Sequence, residues 1–153
     1  MHQRFWDVLN QKVGTYMNKS YASASVEIQI PFHDIDIMGI AWHGHYAKYL
    51  EIARGALLRS IHYNVAEMRE SGYAWPVIEM NIRYAGALTM DQRIRVQADL
   101  VEYENRLKIH YRIFDCETDK RLTKAYTIQV ALEITTREML FASPPILLEK
   151  LGV

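Results

Sequence analysis

The segment from Phe32 to Arg54 concentrates side chains that could carry out chemistry immediately before an amphipathic pattern. Asp34 and Asp36 supply two carboxylates, and two imidazoles follow at His43 and His45. Three roles are open for these groups: ligands of a metal ion, a catalytic carboxylate beside the N-terminus of a helix, or ordinary capping and solvation of a loop.

A metal site is the least favoured of the three roles. His33 joins the two carboxylates and the two later histidines as a further candidate ligand. However, His43 and His45 are only two residues apart, whereas two imidazoles on one helix face need a spacing of four. We therefore expect neither a metal ion nor another cofactor.

The elements that must position these side chains are one long helix and an antiparallel sheet. Apolar residues recur every three or four positions from about residue 44 to residue 62, which predicts a helix with one buried face. Alternating apolar residues predict strands at about 24–33, 93–103, 106–116 and 121–135. A short helical segment at about 65–71 and an extended one at about 75–85 lie between them.

The last three of these strands are separated by turn-like residues and are expected to form an antiparallel meander. In the strand at about 121–135, the apolar series is expected to face the core; it comprises Leu122, Tyr126, Ile128, Val130, Leu132 and Ile134. The strand at about 24–33 contains Pro31, which cannot donate a backbone hydrogen bond and so indicates a sheet edge.

Length and composition limit the class of protein. A chain of 153 residues is expected to form one main domain, and one helix on a sheet leaves apolar surface that favours oligomerisation. Lysine and arginine together number 18, as do aspartate and glutamate, so no bulk charge favours nucleic acid or an anionic membrane.

The same features predict a cytoplasmic protein. No apolar run approaches the roughly 18 residues of a membrane span, and no apolar signal-peptide core is present near the start. The single cysteine, Cys116, excludes an internal disulfide and is expected to be an inert core thiol. Residues 1–21 are expected to be an amphipathic extension, with Trp6, Leu9, Val13 and Tyr16 at helical spacing, before a domain at 22–153.

A known family shares the arrangement of these residues. The motif is DIMGIAWHGHY at residues 36–46, followed by YLEIAR at residues 49–54. It resembles the signature of the 4-hydroxybenzoyl-CoA thioesterase-like enzymes, and the resemblance covers about residues 24–142. It implies the hotdog fold, an α+β arrangement in which a five-stranded antiparallel sheet wraps a long helix. Two departures are His45, where asparagine is usual, and Gly86, where a neighbouring loop often has proline.

The resemblance implies an acyl thioesterase acting on a thioester of coenzyme A or of an acyl carrier protein. Asp36 would be the nucleophile or the general base, and the region of His43 would polarise the thioester carbonyl. Main-chain N–H groups near His43 and Gly44 are the expected donors, because a helix N-terminus has unpaired N–H groups. Gly39 and Gly44 let the backbone approach a ligand closely.

Other residues of the motif have less specific roles. His45, Tyr46 and Glu51 complete the candidate substrate site, although Tyr46 also fits the helix core. Glu51 is expected to pair with Arg54 within the helix, and contact with substrate or with a second subunit is the alternative. Asp34 is expected to be a solvated or loop-bracing carboxylate.

Two other functions are compatible with this fold. One is a hydratase or dehydratase acting on acyl thioesters, although the usual loop signatures of such enzymes are absent. The other is an acyl-thioester binding module without catalysis, since fold alone does not establish function. The family resemblance implies a homodimer at least, or a homotetramer formed as a dimer of dimers, with each active site built from two subunits.

Overall fold

The computed structural model describes residues 20–153. The predicted N-terminal helix, with its apolar residues from Trp6 to Tyr16, lies outside the described residues. The elements, in chain order, are β1 (Ala22–Gln29), a 3-10 turn (Phe32–Asp34), a second 3-10 turn (His43–His45), α1 (Tyr46–Ser60), α2 (Val65–Ser71), β2 (Tyr73–Ala74), β3 (Val77–Tyr84), β4 (Arg93–Glu102), β5 (Leu107–Asp115), β6 (Arg121–Gln129), β7 (Leu132–Glu133) and α3 (Pro145–Leu151).

The main sheet has five antiparallel strands in the order β1-β4-β5-β6-β3. The predicted meander of β4, β5 and β6 is confirmed, with Val96 opposite Ile113 and Tyr111 opposite Ala125. Within residues 20–153, β3 pairs only with β6 and β1 only with β4, so these two strands form the edges of the described sheet.

Helix α1 packs against the sheet through one face, as its periodicity predicts. The buried residues of the helix are Tyr46, Tyr49, Leu50, Ala53, Leu57 and Leu58. They join a core with the buried residues of β4 and β5, among them Val96, Leu100, Ile109 and Ile113. The helix lies mainly over β1 and β4, whereas edge strand β3 stays exposed along nearly its whole length. The five-stranded antiparallel sheet around a long helix confirms the hotdog arrangement.

Strand β6 has the opposite phase to the one predicted. Cross-strand partners share a face of the sheet, and the partners of Ile113, Tyr111, Ile109 and Leu107 are Thr123, Ala125, Thr127 and Gln129. The expected core residues Leu122 and Ile128 therefore lie on the other face, where they are nevertheless buried. Because buried residues occur on both faces of β6, its apolar alternation could not identify the face towards the helix. Three of the four residues in the helix-facing row of β6 are polar: Thr123, Thr127 and Gln129.

The boundaries of the first strand also differ from the prediction. Strand β1 ends at Gln29, and after Pro31 the chain turns through one 3-10 turn in which Phe32 is 76% exposed. Asp34 lies in that turn and not at the end of a strand. The small sheet of β2 and β7, and helix α3, are further elements that the sequence patterns did not predict.

Among residues 20–153, no helix is both long and apolar enough to cross a membrane.

Candidate active site

A tight turn holds Asp36 at the surface of the loop before helix α1. The Oδ1 atom of Asp36 accepts a hydrogen bond from the N–H of Met38 at 2.8 Å, and the Asp36 carbonyl accepts one from Gly39 at 3.0 Å. Gly39 has φ +79°, a conformation that suits glycine far better than other residues. Asp36 is therefore a turn residue, as the simplest interpretation predicts, but no described residue donates to its second carboxylate oxygen.

The start of helix α1 supplies unpaired backbone donors. His43–His45 form a 3-10 turn in which the N–H of His45 donates to the carbonyl of Trp42 at 2.9 Å. The N–H groups of His43 and Gly44 have no hydrogen-bond acceptor among residues 20–153. Such free N–H groups are suited to an anionic oxygen.

Asp36 and His43 line the same cleft, which has a volume of about 310 Å³. Its other lining residues are Ile40, Ala41, Tyr46, Tyr84, Ala85, Gly86 and Ala87. The structure thus brings together three predicted site residues, Asp36, His43 and Tyr46. Burial raises the pKa of Tyr46, so this hydroxyl stays protonated at neutral pH.

Tyr84, the last residue of β3, is a cleft residue that the sequence did not reveal. Its hydroxyl donates to the carbonyl oxygen of His43 at 2.9 Å, and its ring packs edge-on against Tyr46 with centroids 4.6 Å apart. The contact fixes the peptide that follows His43. Its only signal in the sequence is an aromatic residue at a strand end, because 41 residues separate the two partners.

Asp34 is a buried residue that stabilises the loop before helix α1 through hydrogen bonds. Its side chain is buried, and it accepts hydrogen bonds from Lys48 Nζ at 2.7 Å and from the Tyr49 hydroxyl at 2.6 Å. Burial by itself would raise the pKa of Asp34, but these two bonds and the electrostatic effects of nearby Lys48 and His45 hold it below its usual value. The carbonyl of Asp34 also accepts the N–H of Trp42 at 2.9 Å. Of the two roles predicted for Asp34, the structure favours the loop-bracing one.

The remaining predicted site residues lie outside the cleft. The Nε2 atom of His45 is 3.9 Å from Oδ1 of Asp34, so this imidazole faces the bracing carboxylate. Glu51 pairs with Arg54 within the helix and lines a different cavity. Gly44 lies beneath the indole of Trp42, where a Cβ atom would come within 2.3 Å of the ring.

Gly86 makes a hydrogen bond that explains why this chain has glycine where the family often has proline. Its N–H donates to the carbonyl of Leu122 at 2.8 Å, a bond that proline lacks the hydrogen to make. A Cβ atom at Gly86 would also lie 2.8 Å from the side chain of Leu122. This glycine therefore holds the cleft wall against β6.

In residues 20–153, no group of three or more histidine, cysteine, aspartate or glutamate side chains has the geometry to hold a metal ion. His33 and His45 approach Asp34 only at 3.8 and 3.9 Å, and Lys48 already occupies the same carboxylate oxygen. The cleft combines the Asp36 carboxylate with His43, whose N–H group has no acceptor among residues 20–153, and these two kinds of group suit attack on a carbonyl carbon.

Comparisons with known proteins identify the family of the chain. Residues 30–151 match the sequence profile of the thioesterase-like superfamily. A putative esterase of Synechocystis sp. is 28% identical over 127 residues, which cover 82% of this chain and 76% of that protein. A putative acyl-CoA thioesterase of Bacillus subtilis is 27% identical over 90 residues, which cover 58% of this chain and 65% of that protein.

A solved structure supports the fold. The DHNA-CoA thioesterase of Staphylococcus aureus superposes with a TM-score of 0.71 at 24% identity, over 78% of this chain and 80% of that one. At this level of identity the likeness concerns the fold alone.

Proposed function

Because the chain belongs to the thioesterase-like superfamily, we propose that it hydrolyses an acyl-CoA thioester to a free acid and a thiol. Thioester hydrolysis is the reaction of this family, and the chain is a thioester hydrolase by that membership. The observation that carries the specific proposal is the cleft in which the Asp36 carboxylate and the His43 end of helix α1 meet.

Asp36 supplies the attacking or activating group. As a general base it removes a proton from water, whose oxygen bonds to the thioester carbon; as a nucleophile it bonds to that carbon itself and forms an anhydride that water then hydrolyses. In either case the C–S bond breaks, and the thiolate leaves and takes up a proton. The free oxygen of Asp36, which no described residue engages, is the reacting atom.

The N–H group of His43, which lines the cleft, stabilises the oxyanion that forms during attack, and the N–H group of the next residue, Gly44, is the second candidate donor although Gly44 is not among the lining residues. Donors that are already oriented before reaction stabilise this charge without reorganisation, and loss of one such donor costs about 100-fold or more in rate. The hydrogen bond from Tyr84 to the carbonyl of His43 keeps the adjoining peptide in place.

Replacement of Asp36 tests the assignment. Asp36→Asn and Asp36→Ala should fold normally and lose at least about 100-fold in kcat/KM, measured as thiol release from a panel of acyl-CoA and acyl-carrier-protein thioesters. Asp91→Asn, at an exposed aspartate that does not line the cleft, is the matched control and should retain full activity. Near-wild-type turnover in both Asp36 variants would refute the role of this carboxylate.

Turnover in heavy-oxygen water separates the two mechanisms. If Asp36 forms an anhydride, hydrolysis at the Asp36 carbonyl leaves heavy oxygen in the protein, which mass analysis of peptides containing residue 36 detects. If Asp36 activates water, the label appears only in the acid product from the first turnover onwards.

We further propose that the active form is a homodimer at least, joined through the β3 edges. Edge strand β3 has no second strand neighbour in the part of the chain that the structure describes, and its exposed side chains include Val77, Ile78, Met80 and Tyr84. An exposed apolar edge of this kind favours pairing with another chain. A two-fold axis perpendicular to the sheet would make the two β3 strands antiparallel, so the Tyr84 end of one would lie beside the Val77 end of the other. A dimer of dimers is the larger assembly compatible with this pairing.

Complementation tests whether sites are shared. An Asp36→Ala chain mixed with a folded but inactive chain altered at Glu51 or Arg54 should regain part of the activity in hybrid dimers. A monomer by light scattering that is fully active at nanomolar concentration would contradict the shared site.

We also place the enzyme in the cytoplasm, where a reducing environment suits its single cysteine.

A further inference from the structure

A groove of about 280 Å³ lies between β3, β5 and β6 on the outer face of the sheet, which turns away from helix α1. The side chains that line this outer-face groove include Asn81, Arg83, Lys108, His110, Lys124 and Tyr126. Thr123 belongs to the helix-facing row of β6 and is opposite Tyr84, whereas the next residue, Lys124, is opposite Arg83 on the other face. Because Tyr84 lines the Asp36 cleft, the cleft and the outer-face groove lie on opposite faces of the sheet.

The outer-face groove is lined by cations and by no carboxylate of residues 20–153. Lys124 on β6 is opposite Arg83 on β3 and opposite Arg112 on β5, so three cations lie side by side on adjacent strands. Arg112 donates to Asp99 at 3.1 Å, but neither Arg83 nor Lys124 forms a salt bridge within the described residues. Like charges directly opposite each other destabilise a sheet, so an anion between Arg83 and Lys124 would replace repulsion with attraction.

The titration of His110 is affected by the same positive charges. Burial lowers the pKa of His110, and the nearby charges of Lys108 and Lys124 lower it further. Asp99 and Glu102 act in the opposite direction but do not restore the usual value. The imidazole is therefore neutral at neutral pH, and it can donate one N–H to a ligand in the groove.

Lys108 is held in place before any ligand binds. Its ammonium lies 4.9 Å from the centre of the Tyr126 ring, and its side chain is only 21% exposed. The Tyr126 hydroxyl in turn donates to Glu79 at 3.0 Å. Glu102 lies 3.8 Å from Lys108, but it already accepts two hydrogen bonds from Arg106. An ordered cation loses little conformational freedom on binding, which favours affinity.

The surroundings of the groove limit the size of the ligand. Glu79, Asp99 and Glu102 contact the cationic and aromatic side chains from outside the lining. A long polyanion such as a nucleic acid would meet these carboxylates beyond the groove and be repelled. The volume of about 280 Å³ is also slightly below the roughly 300 Å³ at which pockets for drug-sized ligands begin. The ligand is therefore compact.

The chemistry of the lining favours a phosphate group over a carboxylate. Arg83, Lys108 and Lys124 present hydrogen-bond donors and no acceptors. A phosphate monoester carries a charge of about −1.5 to −2 at neutral pH and three acceptor oxygens, whereas a carboxylate carries one charge and two oxygens. Arginine also binds phosphate through two parallel N–H···O bonds. Three cations around one groove thus match a phosphate group best.

We propose that the outer-face groove binds the phosphate group of a compact ligand, either inorganic phosphate or a small phosphate monoester, through Arg83, Lys108 and Lys124. This ligand is separate from the acyl thioester, because the Asp36 cleft lies on the other face of the sheet. Pairing of β3 edges about a two-fold axis perpendicular to the sheet places the second chain beside β3 and leaves the outer face open. Binding at this site does not depend on hydrolysis of a thioester.

Calorimetry with two probes tests the site. Inorganic phosphate and glycerol 3-phosphate should each bind at a single site per chain in about 0.1 M sodium chloride, where the Debye length of about 10 Å screens distant charges. Acetate, with one charge, should bind at least about tenfold more weakly. Tighter binding of glycerol 3-phosphate identifies a monoester as the ligand, and equal or tighter binding of inorganic phosphate identifies the free ion. No saturable binding of either probe at about 10 mM would overturn the proposal.

Substitutions assign the binding to the groove. Arg83→Gln and Lys124→Gln should each weaken phosphate binding by about tenfold or more, because each removes a charge-assisted hydrogen bond. Lys120→Gln is the matched control, since it removes the same charge from an exposed residue outside the lining and should bind phosphate as wild type does. Unchanged affinity in both groove variants, or an equal loss in Lys120→Gln, would overturn the assignment.

Stability measurements show that the variants are folded. Arg83 and Lys124 are exposed, so both variants should fold, and Lys124→Gln should have a Tm no lower than wild type in phosphate-free buffer because a repulsion is removed. Added phosphate should raise the Tm of wild type more than that of Lys124→Gln. If one variant does not fold, the other decides.

A thioether analogue tests whether the ligand is separate from the substrate. S-hexyl-CoA cannot be hydrolysed, and the affinity for inorganic phosphate should be the same with and without an excess of it. Displacement of phosphate by S-hexyl-CoA from the wild-type protein would overturn the proposal of a separate ligand, because the groove would then hold the phosphates of coenzyme A.

Discussion

Asp34→Asn should destabilise the protein while sparing its chemistry. The Asp34 carboxylate is 2% exposed and accepts hydrogen bonds from Lys48 Nζ and the Tyr49 hydroxyl, at 2.7 and 2.6 Å. Asparagine has nearly the same shape and one acceptor oxygen, but it carries no charge. The substitution therefore removes one bond and weakens the other, with little change in packing.

The two bonds contribute unequally. The side chain of Lys48 is 51% exposed, so its ammonium returns to water at small cost when the carboxylate is removed. Tyr49 is buried and must keep an acceptor, which Oδ1 of asparagine provides as a neutral bond in place of a charge-assisted one. Since bonds to charged groups contribute about 1.5 to 3 kcal/mol and neutral ones about 1 kcal/mol, the expected loss is about 1 to 2 kcal/mol. For a domain of this size, that lowers Tm by roughly 3 to 6 °C.

The difference between the two proteins should depend on pH. The pKa of Asp34 in the folded protein lies below its usual value, so its ionised form stabilises the fold. This contribution is complete above the unfolded pKa near 3.9 and is lost as pH falls through the lower folded value. The difference in Tm between wild type and Asp34→Asn should thus have its full size at pH 7 and should become smaller below about pH 4.

Exposed Asp91 provides the matched control, because its side chain makes no hydrogen bond with the described residues and asparagine tolerates its φ of 63°. Asp91→Asn should leave Tm within about 1 °C of wild type. Asp34→Asn should also keep most thioesterase activity below its Tm. An unchanged Tm at pH 7 would refute the bracing role, and an activity loss equal to that of Asp36→Asn would mean that the two carboxylates act together.

Three further outcomes follow from the site. Tyr84→Phe removes the 2.9 Å hydrogen bond to the His43 carbonyl and should lower kcat/KM about tenfold with little loss of stability. Full activity of this variant would show that the bond does not position the peptide. Gly39→Ala places a residue with a side chain at a backbone φ of +79° and should lower the free energy of unfolding, measured in urea, by about 1 to 2 kcal/mol. A variant as stable as wild type would show that this backbone conformation does not require glycine. Activity should survive dialysis against a strong chelator, with no stoichiometric zinc by elemental analysis; reversible loss would restore the histidines near Asp34 as candidate ligands.

The local patterns of the sequence determined the elements and the order in which they occur. The apolar alternation of β4 and β5 and the apolar stripe of α1 repeat over two to four residues along the chain. These short-range patterns predicted the three elements to within a few residues. The motif from Asp36 to His43 is likewise local, and its resemblance to a known family implied site roles for both residues before their common cleft was visible. Their catalytic roles stay predictions.

Contacts between distant segments were decided only by the tertiary structure. The pairing of β3 with β6 places Gln129 beside Trp75, 54 residues apart in the chain, and the packing of the end of β3 against the turn before α1 places Tyr84 beside His43, 41 residues apart. The phase of β6 also depends on what covers each face, because its apolar and its polar residues are both buried. Asp34 could be read as a surface carboxylate until Lys48 and Tyr49 were seen to enclose it. Burial and hydrogen bonding of this kind are properties of the packed chain, and no periodicity along the sequence encodes them.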